Sequence, residues 1–182
     1  MKLIKEKYKW LEYHKWNIES EWYYNIVDNL VFMSSIKMGF LGYYNSGIGI
    51  VPFERFEIGG DGFSNYYASI LGKDIYALRG YEDTDFEEND NGGAPIFSKY
   101  TVELRYPVTL NPSSTIYGLL FAQAGNSWAK FRDFNPFDVK RAFGVGLRAY
   151  LPMFGLLGFD YGFGIDKDVD EGSNGQVMVN LV

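Results

Sequence analysis

The residues in this chain best equipped for chemistry are its carboxylates. Glu82, Asp83, Asp85, Glu87, Glu88 and Asp90 form one acidic run, followed by Asn91-Gly92-Gly93, and Asp166, Asp168 and Asp170 alternate in a second. Alternating aspartates are what a calcium loop offers, because a hard cation gathers several oxygen ligands at once. An EF-hand loop counted from Asp166 would need Gly at its sixth place and Glu at its twelfth, and Glu171 and Val177 stand there. Both runs therefore read as solvated loop, with ion bridging as the minor alternative. His14 is the single histidine and there is no cysteine. A multi-histidine metal site, a Cys-ligated zinc, a thiol nucleophile and a disulfide framework are thus beyond this chain. No serine sits in a Gly-x-Ser-x-Gly elbow. Gly144-Val145-Gly146-Leu147-Arg148-Ala149 has the glycine spacing of a dinucleotide fingerprint. That motif must join a strand to a helix so that pyrophosphate meets the helix N-terminus. Here it lies inside an alternating strand, where glycines leave room for a neighbouring segment. The expectation is a protein that is not an enzyme and carries neither cofactor nor metal.

Leu78-Arg79-Gly80-Tyr81 remains. An arginine beside a glycine can present its fixed fork of donors while the backbone turns tightly, which suits bidentate pairing with a carboxylate. Taken alone, the tetrapeptide reads first as a surface turn, since single Arg-Gly pairs are common in turns.

What must position such groups is β-structure. The chain has 182 residues, a length for one domain, and it is rich in aromatics and glycine, with 15 Tyr, 15 Phe, 4 Trp and 21 Gly. Helical periodicity is hard to find, whereas period-two alternation recurs. In 15–27, Trp16, Ile18, Trp22, Tyr24 and Ile26 alternate with Lys15, Asn17, Glu19 and Glu21, and Asp28-Asn29 turns the chain into 30–43. A third strand is expected at 53–59, where Phe56 and Ile58 alternate with Arg55 and Glu57. A long Gly- and acid-rich loop, 60–98, follows; loops of that length are uncommon and usually functional or disordered. Alternation resumes over 99–108, 115–126, 139–151, 155–166 and 176–182, with a second long loop at 128–138. Eight strands in meander order result, an all-β antiparallel fold.

No apolar run reaches the 18 residues of a membrane-spanning helix. A β-barrel escapes that test, because only every second residue meets lipid. Two features favour a membrane barrel over a soluble one: aromatics near strand ends, such as Trp16, Tyr24, Tyr106, Tyr150 and Phe163, and opposite faces that mix Gly with Lys, Glu, Arg and Asp. A soluble β-barrel binding module, with its aromatics inside, stays open at this point. The net charge of −6 and the lack of a basic stripe speak against nucleic acid. Met1 to Ile4 has no apolar stretch behind it and does not read as a secretory signal.

Seven stretches, in order, resemble one family. They are Pro52-Phe53-Glu54-Arg55-Phe56 running into Gly59-Gly60-Asp61-Gly62, then Leu78-Arg79-Gly80-Tyr81, then Glu103-Leu104-Arg105-Tyr106-Pro107. Phe121-Ala122-Gln123-Ala124-Gly125-Asn126-Ser127-Trp128 follows, then Gly144 to Arg148, Leu151-Pro152-Met153-Phe154-Gly155 and Gly158-Phe159-Asp160-Tyr161-Gly162. The chain resembles the C-terminal half of the barrel of BamA-type outer-membrane protein assembly factors, of the bacterial surface antigen family. The resemblance implies a sixteen-stranded barrel of which residues 1–182 supply the last eight strands, with the POTRA domains and N-terminal strands outside this sequence. It implies a loop folded into the lumen with Arg79 at its tip, pairing with wall residue Glu103. Gln123 stands where the family commonly has a carboxylate. The last strand, with Gln176, Val177, Met178, Val179 and Asn180, would form one side of a lateral seam where an incoming protein adds strands by edge pairing. The implied location is the outer membrane of a Gram-negative bacterium. The implied partners are outer-membrane lipids, unfolded outer-membrane protein clients, accessory assembly lipoproteins and the N-terminal half of the barrel. A secretion transporter of the same superfamily is the nearer alternative.

Overall fold

The computed structural model describes residues 12–47, 49–62, 70–86, 92–111, 114–152, 155–166 and 176–181; the side chains of 114 and of 176–181 lie outside the description. The fold is all-β. β1 (Tyr13–Val27), β2 (Leu30–Tyr43), β5 (Ile96–Asn111), β6 (Ser114–Trp128), β7 (Lys140–Leu151), β8 (Gly155–Gly164) and β9 (Gln176–Leu181) form one sheet in that order. Every neighbouring pair in it is antiparallel. It is an open meander with β1 and β9 at its two edges, as half of a barrel would be. Pro107 interrupts β5 without ending it. Proline cannot donate to a ladder, and the pairing with β6 shifts register between Pro107 and Thr109.

The strand ends joined by the short connections β1–β2, β5–β6 and β7–β8 lie at one end of the sheet, and those joined by the longer connections β2–β5, β6–β7 and β8–β9 lie at the other. Asp28 takes the left-handed conformation (φ 46°) that so tight a turn demands. Short turns at one end and long loops at the other are the habit of outer-membrane barrels.

One expected wall strand left the wall. Of 53–59 only β3 (Phe56–Ile58) is a strand, and it pairs in parallel with β4 (Asp74–Tyr76) away from the meander. Glu54 (φ 61°), Gly59 (φ 115°) and Gly60 (φ 59°) bend the backbone on both sides of it. The alternation was real, since Phe56 and Ile58 are fully buried and Glu57 is not. Period two shows that a strand has two faces; it does not say to which sheet the strand belongs.

β3, β4 and a 3-10 turn at Asp83–Asp85 belong to a plug between β2 and β5 that packs on one face of the meander. Two apolar clusters join them: Leu41, Val51, Phe56 and Phe97, and Ile58, Leu78, Tyr81, Phe86 and Ala142. Gly39 makes room for the first, because a Cβ there would stand 2.4 Å from the Phe97 ring and 2.5 Å from the Phe56 ring.

The plug covers the polar face. In β5, Thr101 and Glu103 are buried while Val102, Tyr106, Val108 and Leu110 are exposed. In β7 and β8, Asp160 is buried while Phe143, Val145, Leu147 and Phe159 are exposed. A soluble barrel would bury the apolar face. Here that face is the outside, and in β5, β7 and β8 the polar face read from the alternation is the buried, lumen side. Among the described residues no helix is long and apolar enough to cross a membrane.

Candidate functional site: a loop tip anchored on the lumen wall

The strand register builds a polar wall of aligned rows. Met33, Glu103, Phe121, Gly144 and Gly162 form one row, and Val31, Arg105, Leu119, Gly146 and Asp160 the next. Large and charged side chains come from β5 and β6, glycines from β7 and β8. The result is a trough over β7 and β8, with carboxylates at either side.

Leu78-Arg79-Gly80-Tyr81 lies in that trough, with all four residues buried. Arg79 reaches across: its Nη2 donates to Glu103 Oε1 at 2.5 Å and its Nη1 to Asp160 Oδ2 at 3.4 Å. Its guanidinium carbon lies 3.6 Å from the centre of the Phe121 ring, in cation–π contact. Gly80 has φ 96°, and a Cβ on it would stand 2.8 Å from the backbone of Phe163 and Gly164. Only glycine permits both the turn and the approach. Gly162 is its counterpart, since a Cβ there would meet the Gly80 nitrogen at 3.0 Å.

The two carboxylates are held a second time by the wall. Arg105 donates to Glu103 Oε2 (Nε 2.9 Å, Nη2 2.7 Å), and Arg148 forks onto Asp160 (2.8 and 2.7 Å). Three arginines thus share two buried carboxylates, so each anion stays paired whether or not the loop is present. Unpaired buried charge is costly, and this arrangement lets the loop leave without creating any.

Gln123 takes part in a different way from the one its side chain suggested. Its Oε1 accepts from the Arg79 backbone N–H at 3.0 Å, and its Nε2 donates to Thr101 Oγ1 at 3.2 Å. An amide serves here because the partner is a neutral peptide group. Asp160, Arg105, Arg148 and Phe121 were not singled out as site residues from the sequence. All four stand on the polar-face phase of their strands, and the Gly158 to Gly162 stretch that contains Asp160 was among the distinctive ones. What sequence lacked was the register that sets Asp160 beside Gly146.

Lysines of the wall hold the plug by its backbone: Lys99 Nζ donates to the Ala77 carbonyl and Lys140 Nζ to the Asp85 carbonyl. At the loop end, Tyr81 Oη donates to the Arg141 carbonyl (2.8 Å) and accepts from the Asp166 N–H (2.9 Å). Burial raises the Tyr81 phenol above its ordinary pKa, so this hydroxyl keeps its proton.

Asp166 closes the clasp, accepting Arg141 Nη2 at 2.7 Å and Nε at 3.1 Å. The hydrogen bond from the Arg141 side chain holds its carboxyl below the usual range. That stabilisation is complete above about pH 4, the unfolded value, and is lost as pH falls through the lower folded value. The protection factor of the Tyr81 amide, its exchange corrected for the intrinsic rate at each pH, is therefore expected to fall on acidification below about pH 4. The pair is largely exposed and screened by solvent, so the change should be small. Asp166→Asn should remove the pH step; a step that survives it would place the titrating group elsewhere.

An outward apolar face, an inward polar wall and a buried arginine-tipped loop define the wall of a transmembrane β-barrel with a lumen plug. A family model described as Omp85 superfamily domain matches residues 5–181, and the chain belongs to that superfamily. Its members are non-enzymatic components of outer-membrane protein insertion or transport. No curated protein sequence matches the chain.

Proposed function

We propose that the chain is the C-terminal half of a BamA-type barrel that folds and inserts other β-barrel proteins into the outer membrane. The N-terminal strands and POTRA domains would come from the rest of the protein. The observation that carries this reading over polypeptide secretion is the anchoring of Arg79. A loop that must clear the lumen for a passing chain gains nothing from two carboxylates, a ring and a glycine trough, whereas a barrel that works at its side needs a closed centre.

The lateral seam would run along β9. One edge of this strand pairs with β8, from Leu157↔Leu181 to Gly162↔Gln176. Its other edge has no partner strand in this sheet, and such an edge can template a new strand. Gln176, Val177, Met178, Val179 and Asn180 belong to that edge. Accessory lipoproteins and unfolded barrel clients are the partners this role requires.

The test is a disulfide between β9 and the first strand of the complete barrel; this chain has no cysteine to interfere. Locking the seam should stop client insertion in reconstituted vesicles, and reduction should restore it. Insertion at the full rate with the seam locked would overturn the proposal. Ion conductance by the unmodified full protein would point to secretion instead.

A further inference from the structure

The connection 129–139 does not join the plug. It folds back over the outside of the sheet at the loop end. Phe40 and Trp128 stand in one outward row, Trp16, Phe40, Ile96 and Trp128. Phe134 packs edge-on against both Trp128 (centroids 4.9 Å) and Phe40 (5.7 Å), and Phe131 stacks on Phe40 at 6.1 Å. Beneath them Ile96 is fully buried and Trp128 is 6% exposed, with no acceptor for its indole N–H. The descending limb is pinned by Asn126 Nδ2 donating to the Asp138 carbonyl at 2.9 Å.

This shelf then spends its own apolar surface outward. Phe137 is 89% exposed, Phe131 55% and Trp16, in the same outward row, 64%. Lys130 and Arg132 are also exposed, and among the described residues neither side chain has an ion pair or hydrogen bond. The depth is set by the strand. Asn126 lies two residues beyond Ala124, the last small apolar residue of the β6 outer face, or about 7 Å along the strand and about 5 Å along the membrane normal at ordinary tilt. That is the level at which hydrocarbon gives way to headgroups and aromatic side chains gather.

We propose that this loop is a membrane-docking shelf: Phe131 and Phe137 enter the interface of the outer leaflet, and Lys130 and Arg132 bind lipid phosphate. The inference rests on the barrel reading, because it takes the neighbouring apolar face as lipid-covered. Two things argue for lipid as the occupant. The shelf continues the apolar belt formed by Val102, Leu120, Phe143 and Val145. It also places unpaired cations beside exposed rings at phosphate depth, a pairing that interfacial anchors use.

The experiment uses the full protein in vesicles of phosphatidylethanolamine and phosphatidylglycerol, spin-labelled at a single introduced thiol. Labels at Phe137→Cys, Phe143→Cys in the belt and Asn45→Cys in an exposed turn are compared for collision with oxygen, which concentrates in lipid, and with a nickel chelate, which stays in water. The expected result is oxygen-dominated collision at positions 137 and 143 and nickel-dominated collision at 45. Adding Lys130→Ser and Arg132→Ser should cost position 137 its protection from nickel while leaving 143 unchanged. A lipid-buried 143 with a water-exposed 137 would overturn the shelf and leave the barrel intact. Nickel at both would overturn the barrel reading and the shelf with it. A position 137 shielded from both reagents would mean a protein partner covers the loop, which also overturns the proposal.

Discussion

Replacing Arg79 with alanine is expected to release the loop and leave the barrel standing. The substitution removes two charge-assisted contacts and a desolvated cation–π contact. Together these are worth about 4 kcal/mol, or roughly a thousandfold in the docking equilibrium. Glu103 keeps Arg105 and Asp160 keeps Arg148, so no buried anion is orphaned and the wall should not unfold. The protein should still show heat-modifiable mobility, which reports the closed barrel, while a protease added to vesicles should cut within 74–86. Under the proposed assembly role, client insertion should fall with the docked fraction. Asp160→Ala is the contrasting case. It strips partners from two arginines at a side chain with no exposure, a loss of about 3–5 kcal/mol to the wall itself, and heat modifiability should go too. Equal damage from both variants would mean that the loop is part of the wall's own stability and not a removable piece.

Gly80→Ala should undock the same loop with every charge in place. The new methyl would meet the backbone of Phe163 and Gly164 at 2.8 Å, from a φ of 96° that an L-residue rarely adopts. Neither neighbour is the end of a flexible side chain, so the strain has no easy outlet. Left-handed cost and overpacking together come to about 3 kcal/mol. Protease cleavage within 74–86 should rise as it does for Arg79→Ala. The double variant should cleave little faster than either single one, because both act on one docking step. Additive effects would show that Gly80 contributes somewhere other than the trough.

Much of this was legible in the sequence, for a simple reason. A barrel wall must alternate, so the phase of Lys99 to Val108 or of Gly155 to Asp166 fixes which side chains face the lumen, and Glu103 and Arg79 followed from it with the resemblance. What was not legible was whatever depends on pairing between distant strands. The Phe53 to Gly59 segment alternates like a wall strand and lies in the plug, because its bends come from Glu54 and two glycines and not from its pattern. Asp160 shows its polarity in the sequence but not its neighbour, since only the β7–β8 register brings it within reach of Arg148. Gln123 reads as a weakened carboxylate until its acceptor is seen to serve a peptide N–H. The outward fold of 129–139 left no trace beyond an aromatic-rich loop.

The partners of Arg79 lie 24 and 81 residues further along the chain. The arginine is made early, but its seat is finished only when β8 has paired with β7, which supplies Gly144 and Gly146 opposite Gly162 and Asp160. Long-range contacts form late, because the chain must first give up the freedom of everything between their ends. The loop can therefore close only over a nearly complete sheet. Its docking is a record, written into the order of the polypeptide, that the strands through β8 have been laid down.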